Sequence, residues 1–526
     1  MGFYLNQGNV LYSKTKNSRI FVDKTELIKH TNSLIGENGQ FICVSRPRRF
    51  GKSVTASMLV AYYSKGCDSR ELFSDLKIAK DPSFEKHLNK YNVIHLIMTD
   101  YANMSTAEMI DRIKEVILYD LSTEGIELNL PPVLDLPFIL NAIYERTGAP
   151  FIFVIDEWDC LMRKLEDTEA KQREYLDFLR NLLKDREYVA LAYMTGILPV
   201  KKYGEHSALN MFTEYSMEFA EPFSEFTGFT TEEVNSICLE FGIDREEMKR
   251  WYDGYNVDDI EIYNPNSVVQ ACMRRHFFSY WTRTENYEAL KKYIILNMDG
   301  LRDKVERLIA VEKATINTAR FQNDMKNLHS ADDVLTLLIH LGYLTYSNTT
   351  KECWIPNTEV AEEFINCISD SDGWSEVMNA INQSEKCLKA TLNGDADTVA
   401  RIIEQTHREN TSLIKYNDEN SLSCVITLSY YTARNKYIIV REYPAGDGFA
   451  DIVFLPRPNE NVPAIVVELK RDKDASVAIE QIKNRNYPEA LKAFSGEIIL
   501  VGINYNDDPK NSEYKKHSCR IEKINK

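Results

Sequence analysis

Apolar and polar positions along the chain follow two different periods, and the changes of period lay out its organisation. Phe41-Ile42-Cys43-Val44 is a continuous apolar run that reads as a buried strand, and Val54 to Tyr63 follows it with a helical pattern. Further strands are predicted at Val93 to Thr99, Phe151 to Ile155 and Val189 to Gly196. Apolar strands separated by helical stretches imply a mostly parallel sheet with helices on both faces, and ligands then sit at the carboxyl ends of the strands. From about residue 222 the pattern turns helical: Thr230-Thr231-Glu232-Glu233 opens a helix with capping chemistry, and Asp244 to Trp251 reads as another. Ala331 to Leu341 is a strongly apolar helix, followed by Gly342 to Tyr346, a polar tip and Cys353 to Pro356. Helix, strand, wing, strand is winged-helix order. Because the segment is not notably basic, it reads as a connector rather than a grip on DNA.

The last quarter returns to strands. A helical stretch at Leu422 to Tyr431 precedes strands at Tyr437 to Arg441, Phe449 to Leu455 and Ala464 to Lys470, with a turn over Pro444 to Gly448. An amphipathic helix from Ala475 to Phe494 and a strand from Glu497 to Asn504 complete the region. Asn393-Gly394-Asp395 marks a boundary, so the chain divides into 1–221, 222–325, 326–390 and 391–526.

Two of these strands end in residues suited to phosphate chemistry. After the first comes Arg46-Pro47-Arg48-Arg49-Phe50-Gly51-Lys52-Ser53, a loop whose Gly-Lys-Ser opens a helix. Backbone amides at a helix start cradle phosphates, Lys52 would reach the terminal phosphates, and Ser53 would ligate Mg²⁺. The first glycine of G-x-x-x-x-G-K-[ST] is replaced by Arg46. The Phe151 strand ends in Asp156 and Glu157, the first suited to the Mg²⁺ shell and the second to polarising water. Thr195, ending the Val189 strand, fits either a sensor of the γ-phosphate or a strand-end cap. Arg48 and Arg49 could contact phosphates, act across a subunit interface, or pair with acids such as Asp159; a finger supplied in trans would require a homo-oligomer.

The C-terminal strands place Glu468 and Lys470 on one face, with Val467 and Leu469 on the other. Asp451 and Glu468 supply hard oxygen ligands for Mg²⁺ or Mn²⁺, and Lys470 can orient or deprotonate water beside them. E-x-K alone also occurs as an ordinary ion pair at a solvated strand end. Gln481 and Tyr487 lie on the helix that follows, and Glu419 opens the helical stretch upstream, with Asp418 and Glu409 as competitors for its role.

Several of these segments are recognisable together. Phe21-Val22-Asp23-Lys24-Thr25, the Arg46–Ser53 loop, Asp156-Glu157-Trp158-Asp159, Trp251-Tyr252-Asp253-Gly254-Tyr255 and Tyr263-Asn264-Pro265-Asn266-Ser267 resemble the bacterial AAA-ATPase-like family. Members of that family commonly end in a PD-(D/E)XK nuclease domain. The C-terminal order of helix, three strands, helix, strand is similar to that core, and Asp451, Glu468 and Lys470 match its D…E-x-K motif. Gln481 matches the glutamine of the following helix and Glu419 the acid of the first. The resemblance implies an α/β multidomain chain: a P-loop parallel-sheet ATPase core with a helical lid, a winged-helix-like middle and an αβββαβ nuclease fold. It implies ATP and Mg²⁺ as cofactors, DNA as partner, and a setting in defence against, or mobility of, foreign DNA. A nucleotide-switched sensor whose nuclease-like domain binds without cutting is the alternative.

Composition sharpens two points. The 526 residues carry a formal net charge of -16, which argues against indiscriminate coating of nucleic acid. Residues 391–526 hold 19 Lys and Arg against 20 Asp and Glu, a net of -1, so nearly all the acidity (-15) belongs to the first 390. The ten scattered cysteines form no C-x-x-C pair and read as reduced core thiols, the nine histidines show no H-x-x-x-H spacing, and no apolar run is long enough for a membrane span. A cytoplasmic protein is expected.

Overall fold

The computed structural model describes residues 2–126, 128, 135–164, 169–200, 209–281, 288–296, 298–321, 328–369, 371, 374–409, 419–445, 448–457, 460–485, 491, 497–506 and 517–524. They form two compact units: 1–290 with 315–362, and 291–314 with 363–526.

The first unit is built on a five-stranded sheet. Its strands are β1 (Phe41–Ser45), β2 (Asn92–Ile97), β3 (Phe151–Asp156), β4 (Val189–Gly196) and β5 (Thr213–Tyr215), in the spatial order β2-β3-β4-β1-β5. Every pairing is parallel. The central strands β3 and β4 are buried along their whole length, the consequence of helices on both faces, and this is why they read as unbroken apolar runs. Helix α1 (Lys52–Tyr63) leaves the end of β1 after Gly51, whose φ of 89° lies in the left-handed region open to glycine.

The motifs beyond the sheet fold back onto it. Tyr255 packs edge-on against Phe50 of the β1–α1 loop at 4.9 Å, and its hydroxyl donates to the Gly342 carbonyl at 3.0 Å. Gly228 donates its amide to Phe50 O at 2.8 Å. Helix α2 (Pro265–Arg274) begins as its sequence prescribes, with Asn264 capping and Pro265 in the first turn. Helix α3 (Ala331–Leu341) and the antiparallel strands Thr345–Ser347 and Glu352–Trp354 appear in the expected order. They pack within this unit: the Asn256 backbone amide donates to Thr345 Oγ1 at 2.7 Å and its side-chain Nδ2 donates to Tyr346 O at 3.0 Å. Residues 326–362 thus belong with the ATPase-like unit rather than forming a separate segment.

Helix α4 (Thr358–Ser369) opens with a buried acid. Glu359 accepts from Ser267 Oγ at 2.9 Å and from the amides of Tyr280 and Trp281 at 2.6 and 2.7 Å.

The second unit carries helices α5 (Ser375–Asn393), α6 (Ala396–Glu409) and α7 (Glu419–Ser429) ahead of a second five-stranded sheet. Asn393-Gly394-Asp395 is a helix–helix turn inside this unit, with Gly394 in the left-handed conformation. Strands β6 (Tyr437–Ala445), β7 (Gly448–Pro456), β8 (Ala464–Arg471), β9 (Ile498–Tyr505) and β10 (His517–Ile524) lie in sequence order; only β8–β9 is parallel. Helix α8 (Ala475–Asn484) makes that crossover; of the rest of the expected helical stretch to Phe494, residues 486–490 and 492–494, Tyr487 among them, lie outside the described residues. Strand β10 is an addition to the expected core, and α6 packs on it with His407 Nδ1 3.1 Å from His517 Nε2. Residues 291–314 join this unit through Arg302–Glu376 at 2.7 Å and Arg441–Glu312 at 2.6 Å. Among the described residues no helix is long and apolar enough to cross a membrane.

Burial is the main force on Glu359, and it pushes the carboxyl up to about 7 although three donors face it. The folded protein therefore keeps this proton up to about pH 7, whereas the unfolded chain releases it near 4.5. Between those values the folded state binds more protons, so stability falls as pH rises. Urea titrations from about pH 4 to 8 should show the unfolding free energy of wild type, relative to Glu359→Gln, dropping by about 3 kcal/mol and levelling above neutrality. A pH-independent difference would contradict this.

Candidate active sites in the two units

In a parallel sheet the carboxyl ends of β1, β3 and β4 face one edge, and the order of the strands decides which side chains meet there. Strand β4 lies between β1 and β3, with Val44 beside Thr195 and Met194 beside Ile155. Thr195 consequently comes next to Asp156, and its hydroxyl donates to Asp156 Oδ1. The amide of Glu157 also donates to Asp156, at 3.1 Å. Glu157 itself turns out of the strand at φ 54°, an uncommon conformation for a non-glycine residue. Asp159 is occupied elsewhere, paired with Arg163 at 3.1 Å and accepting from the Leu198 amide.

A cavity of about 980 Å³ opens at this edge. Arg48, Arg49, Phe50, Gly51, Lys52, Ser53 and Glu157 are in its wall. An added Cβ at Gly51 would meet nothing within 4 Å, so the start of α1 is open toward an incoming group. The Lys52 ammonium is turned back on the loop, donating to Arg46 O at 2.9 Å and Pro47 O at 2.8 Å. Desolvation lowers its pKa to about 8, opposed by Asp159 and Asp156. A cavity of this size with amides, a lysine and a hydroxyl at a helix start fits a nucleoside triphosphate with its divalent cation.

Arg46 and Pro47 differ from expectation: neither lines the cavity. The Arg46 side chain is fully buried and donates through Nη1 to Ser45 O at 2.8 Å and Tyr215 O at 2.9 Å. It ties β1 to the adjacent β5 instead of facing phosphates, and burial lowers its pKa to about 10. Pro47 packs toward Gly342, where a Cβ would come within 2.6 Å of it. Asp156 and Thr195 are likewise buried at the strand ends and not part of the wall.

Some wall residues carried no site assignment in the sequence. Phe21, Val22 and Lys24 line the cavity, as do Asn266 and Gln270 of α2. Lys24 is held by Glu233 at 2.6 Å. The Phe-Val-Asp-Lys-Thr and Asn-Pro-Asn-Ser runs were visible, but only folding shows that both border the phosphate loop.

The second site is built by one strand pair and one helix. Ile452 stands opposite Val467 in the β7–β8 ladder, so Asp451 and Glu468 come one register step beyond. Asp451 Oδ2 accepts from the Leu469 amide at 2.6 Å. Glu468 is 1% exposed; its Oε1 accepts from Lys470 Nζ at 2.8 Å and from Gln481 Nε2 of α8. Gly502, beside Glu468 on β9, lets the start of α8 approach: a Cβ there would stand 2.4 Å from Ala475 O. The Glu468 pKa is raised, first by burial and then by the Asp451 charge. Its Oε2 is buried and without a hydrogen-bond partner.

A buried carboxylate oxygen lacking a donor, next to a second carboxylate, suits a hard divalent cation. Among the described residues no cluster of three or more His, Cys, Asp or Glu is placed to hold a metal, so Asp451 and Glu468 stand as a pair. Glu419 begins α7, but its side chain lies outside the described residues, as does Asp418.

Comparison with known proteins agrees with both halves. Residues 12–204 match the family model "AAA-ATPase_like: Predicted AAA-ATPase", and 417–515 match that of the PD-(D/E)XK nuclease superfamily. The chain joins an AAA-ATPase-like domain to a PD-(D/E)XK superfamily domain. An uncharacterized protein in the vnfD 5′ region of Azotobacter chroococcum mcd 1 is 25% identical over 272 residues. That match covers 50% of each protein, so the chain spans about half the length of this curated relative. Among solved structures, Cdc6p from Pyrobaculum aerophilum is 13% identical, covering 70% of this chain and 99% of its own, with a TM-score of 0.27. The ORC2 protein of Aeropyrum pernix, in its ADPNP–ADP complexes, is 11% identical, covering 66% and 92%, with a TM-score of 0.32.

In the AAA-ATPase-like domain the placement of Arg46 generates a test. Arg46→Met leaves the Ser45 and Tyr215 carbonyls buried without this donor, and should lower stability by about 2–3 kcal/mol in denaturant titrations. Nucleotide affinity, measured by calorimetry on the folded variant, should stay within about threefold of wild type, roughly 0.7 kcal/mol. A large loss of affinity with unchanged stability would return Arg46 to the phosphate site.

Proposed function

We infer that the protein binds and hydrolyses ATP and cuts DNA at a second, Mg²⁺-dependent site. The observation that carries the nuclease half is the constellation on Glu468: a buried carboxylate with an unpartnered oxygen, Asp451 across the strand pair, and Lys470 and Gln481 on its other oxygen. An ordinary surface Glu–Lys pair would be solvated and would not recruit a glutamine from the next helix.

In the ATPase half, the Gly51, Lys52 and Ser53 amides would receive the phosphates, and Lys52 would exchange the Arg46 and Pro47 carbonyls for them. Ser53 and Asp156 would hold Mg²⁺, which neutralises charge on the phosphates when bound. Glu157 would orient the attacking water, and Thr195 fixes the Asp156 carboxylate. In the nuclease half, Asp451 and Glu468 would hold Mg²⁺, or Mn²⁺ in its place. A divalent ion there supplies Lewis acidity and a more acidic water. Lys470 would accept or position the water's proton, and Gln481 keeps Glu468 in register. A role in defence against, or mobility of, foreign DNA extends this reading.

The test is cleavage of linear, supercoiled and single-stranded DNA, with and without ATP and Mg²⁺. Asp451→Ala and Lys470→Ala should each lower cutting by at least about 100-fold, roughly 2.7 kcal/mol of barrier, with ATP binding unchanged. Lys52→Ala should remove ATP hydrolysis. Cutting that persists in both nuclease-site variants refutes the assignment. ATP-dependent assembly on DNA without any cleavage would favour a nucleotide-switched binder.

A further inference from the structure

Lys470 is committed to Glu468 and to the Leu469 carbonyl at 2.9 Å, so phosphates flanking a cleavage point need another cation. Helix α8 supplies one. Arg485 follows its last residue, with its amide bonded to Gln481 O at 2.9 Å, one turn beyond the side chain that touches Glu468. It is exposed to solvent. Its guanidinium lies against Gly448 at the start of β7: a Cβ built there would stand 3.0 Å from Nη1, 3.3 Å from Cδ and 3.5 Å from Cζ. A side chain at 448 would crowd the guanidinium in this position.

Gly448 is three residues before Asp451 on the same strand, about 10 Å at roughly 3.3 Å per residue. A planar guanidinium at this distance, outside the carboxylate pair and beside its helix, is suited to a phosphate diester in bidentate fashion.

We propose that Arg485, seated on Gly448, is a phosphate-binding residue that holds the nucleic-acid backbone next to the cleavage point. This rests on the nuclease reading and adds to it a contact that sets substrate affinity rather than the chemical step. An Arg485 that served only to cover the β6–β7 hairpin would alter melting but not the salt dependence of substrate binding.

The experiment is steady-state cleavage of a linear duplex by the full chain with Mg²⁺ across a range of KCl concentrations. Arg485→Met keeps the apolar stem and removes the charge. It should raise KM for DNA about tenfold, leave kcat within about twofold, and reduce the slope of log KM against log [KCl] by about one. Gly448→Leu, which displaces the guanidinium while keeping Arg485, should do the same. A KM and slope equal to wild type in either folded variant overturns the proposal, as does a fall in kcat alone. If wild type itself cuts no DNA, the nuclease reading fails first, and the two failures are told apart.

Discussion

Parallel pairing across β3, β4 and β1 is the constraint on which the ATPase-like unit depends. Strands that run the same way must all end at one edge, so three polar termini from distant parts of the sequence converge without any local signal. The intervening position of β4 then makes Thr195, and not a residue of the phosphate loop, the partner of Asp156. Buried between helices, these strands admit no polar residue until their last positions, which is why their ends stand out chemically.

The second unit reaches a similar result by different means. Its carboxylates are neighbours across an antiparallel ladder, and the single parallel pair, β8–β9, exists to bring α8 over them. Gly502 is the condition for that approach. Burying Glu468 raises its proton affinity and leaves one oxygen without a donor, an arrangement that is costly unless something cationic arrives.

Much of this was legible in the amino-acid sequence, for a physical reason. Strands β1, β3, β4, β7 and β8 are apolar because they are covered; Asp-Glu ends β3, Glu-Leu-Lys closes the apolar run of β8, and Gly-Lys-Ser follows the loop after β1. What could not be read was any effect of long-range packing. Arg46 sits in a motif position that borders phosphates, yet the edge strand β5 offers carbonyls that draw its side chain the other way. Strand β10 has mixed burial and lacks the continuous apolar run of its neighbours. Lys24 and Asn266 reach the cavity only because residues more than two hundred positions apart fold to the same rim.

The path of the chain through its two units has a consequence for synthesis. Residues 291–314 depart to the second unit before 315–362 return to complete the first. The carbonyl that receives Tyr255, and the strand that pairs with Asn256, are therefore made after part of the other unit has already emerged. An ATPase-like fragment ended at 290 would keep Tyr255 against Phe50 but lack the Gly342 carbonyl that holds its hydroxyl. The two units are in this sense interleaved in time as well as in sequence.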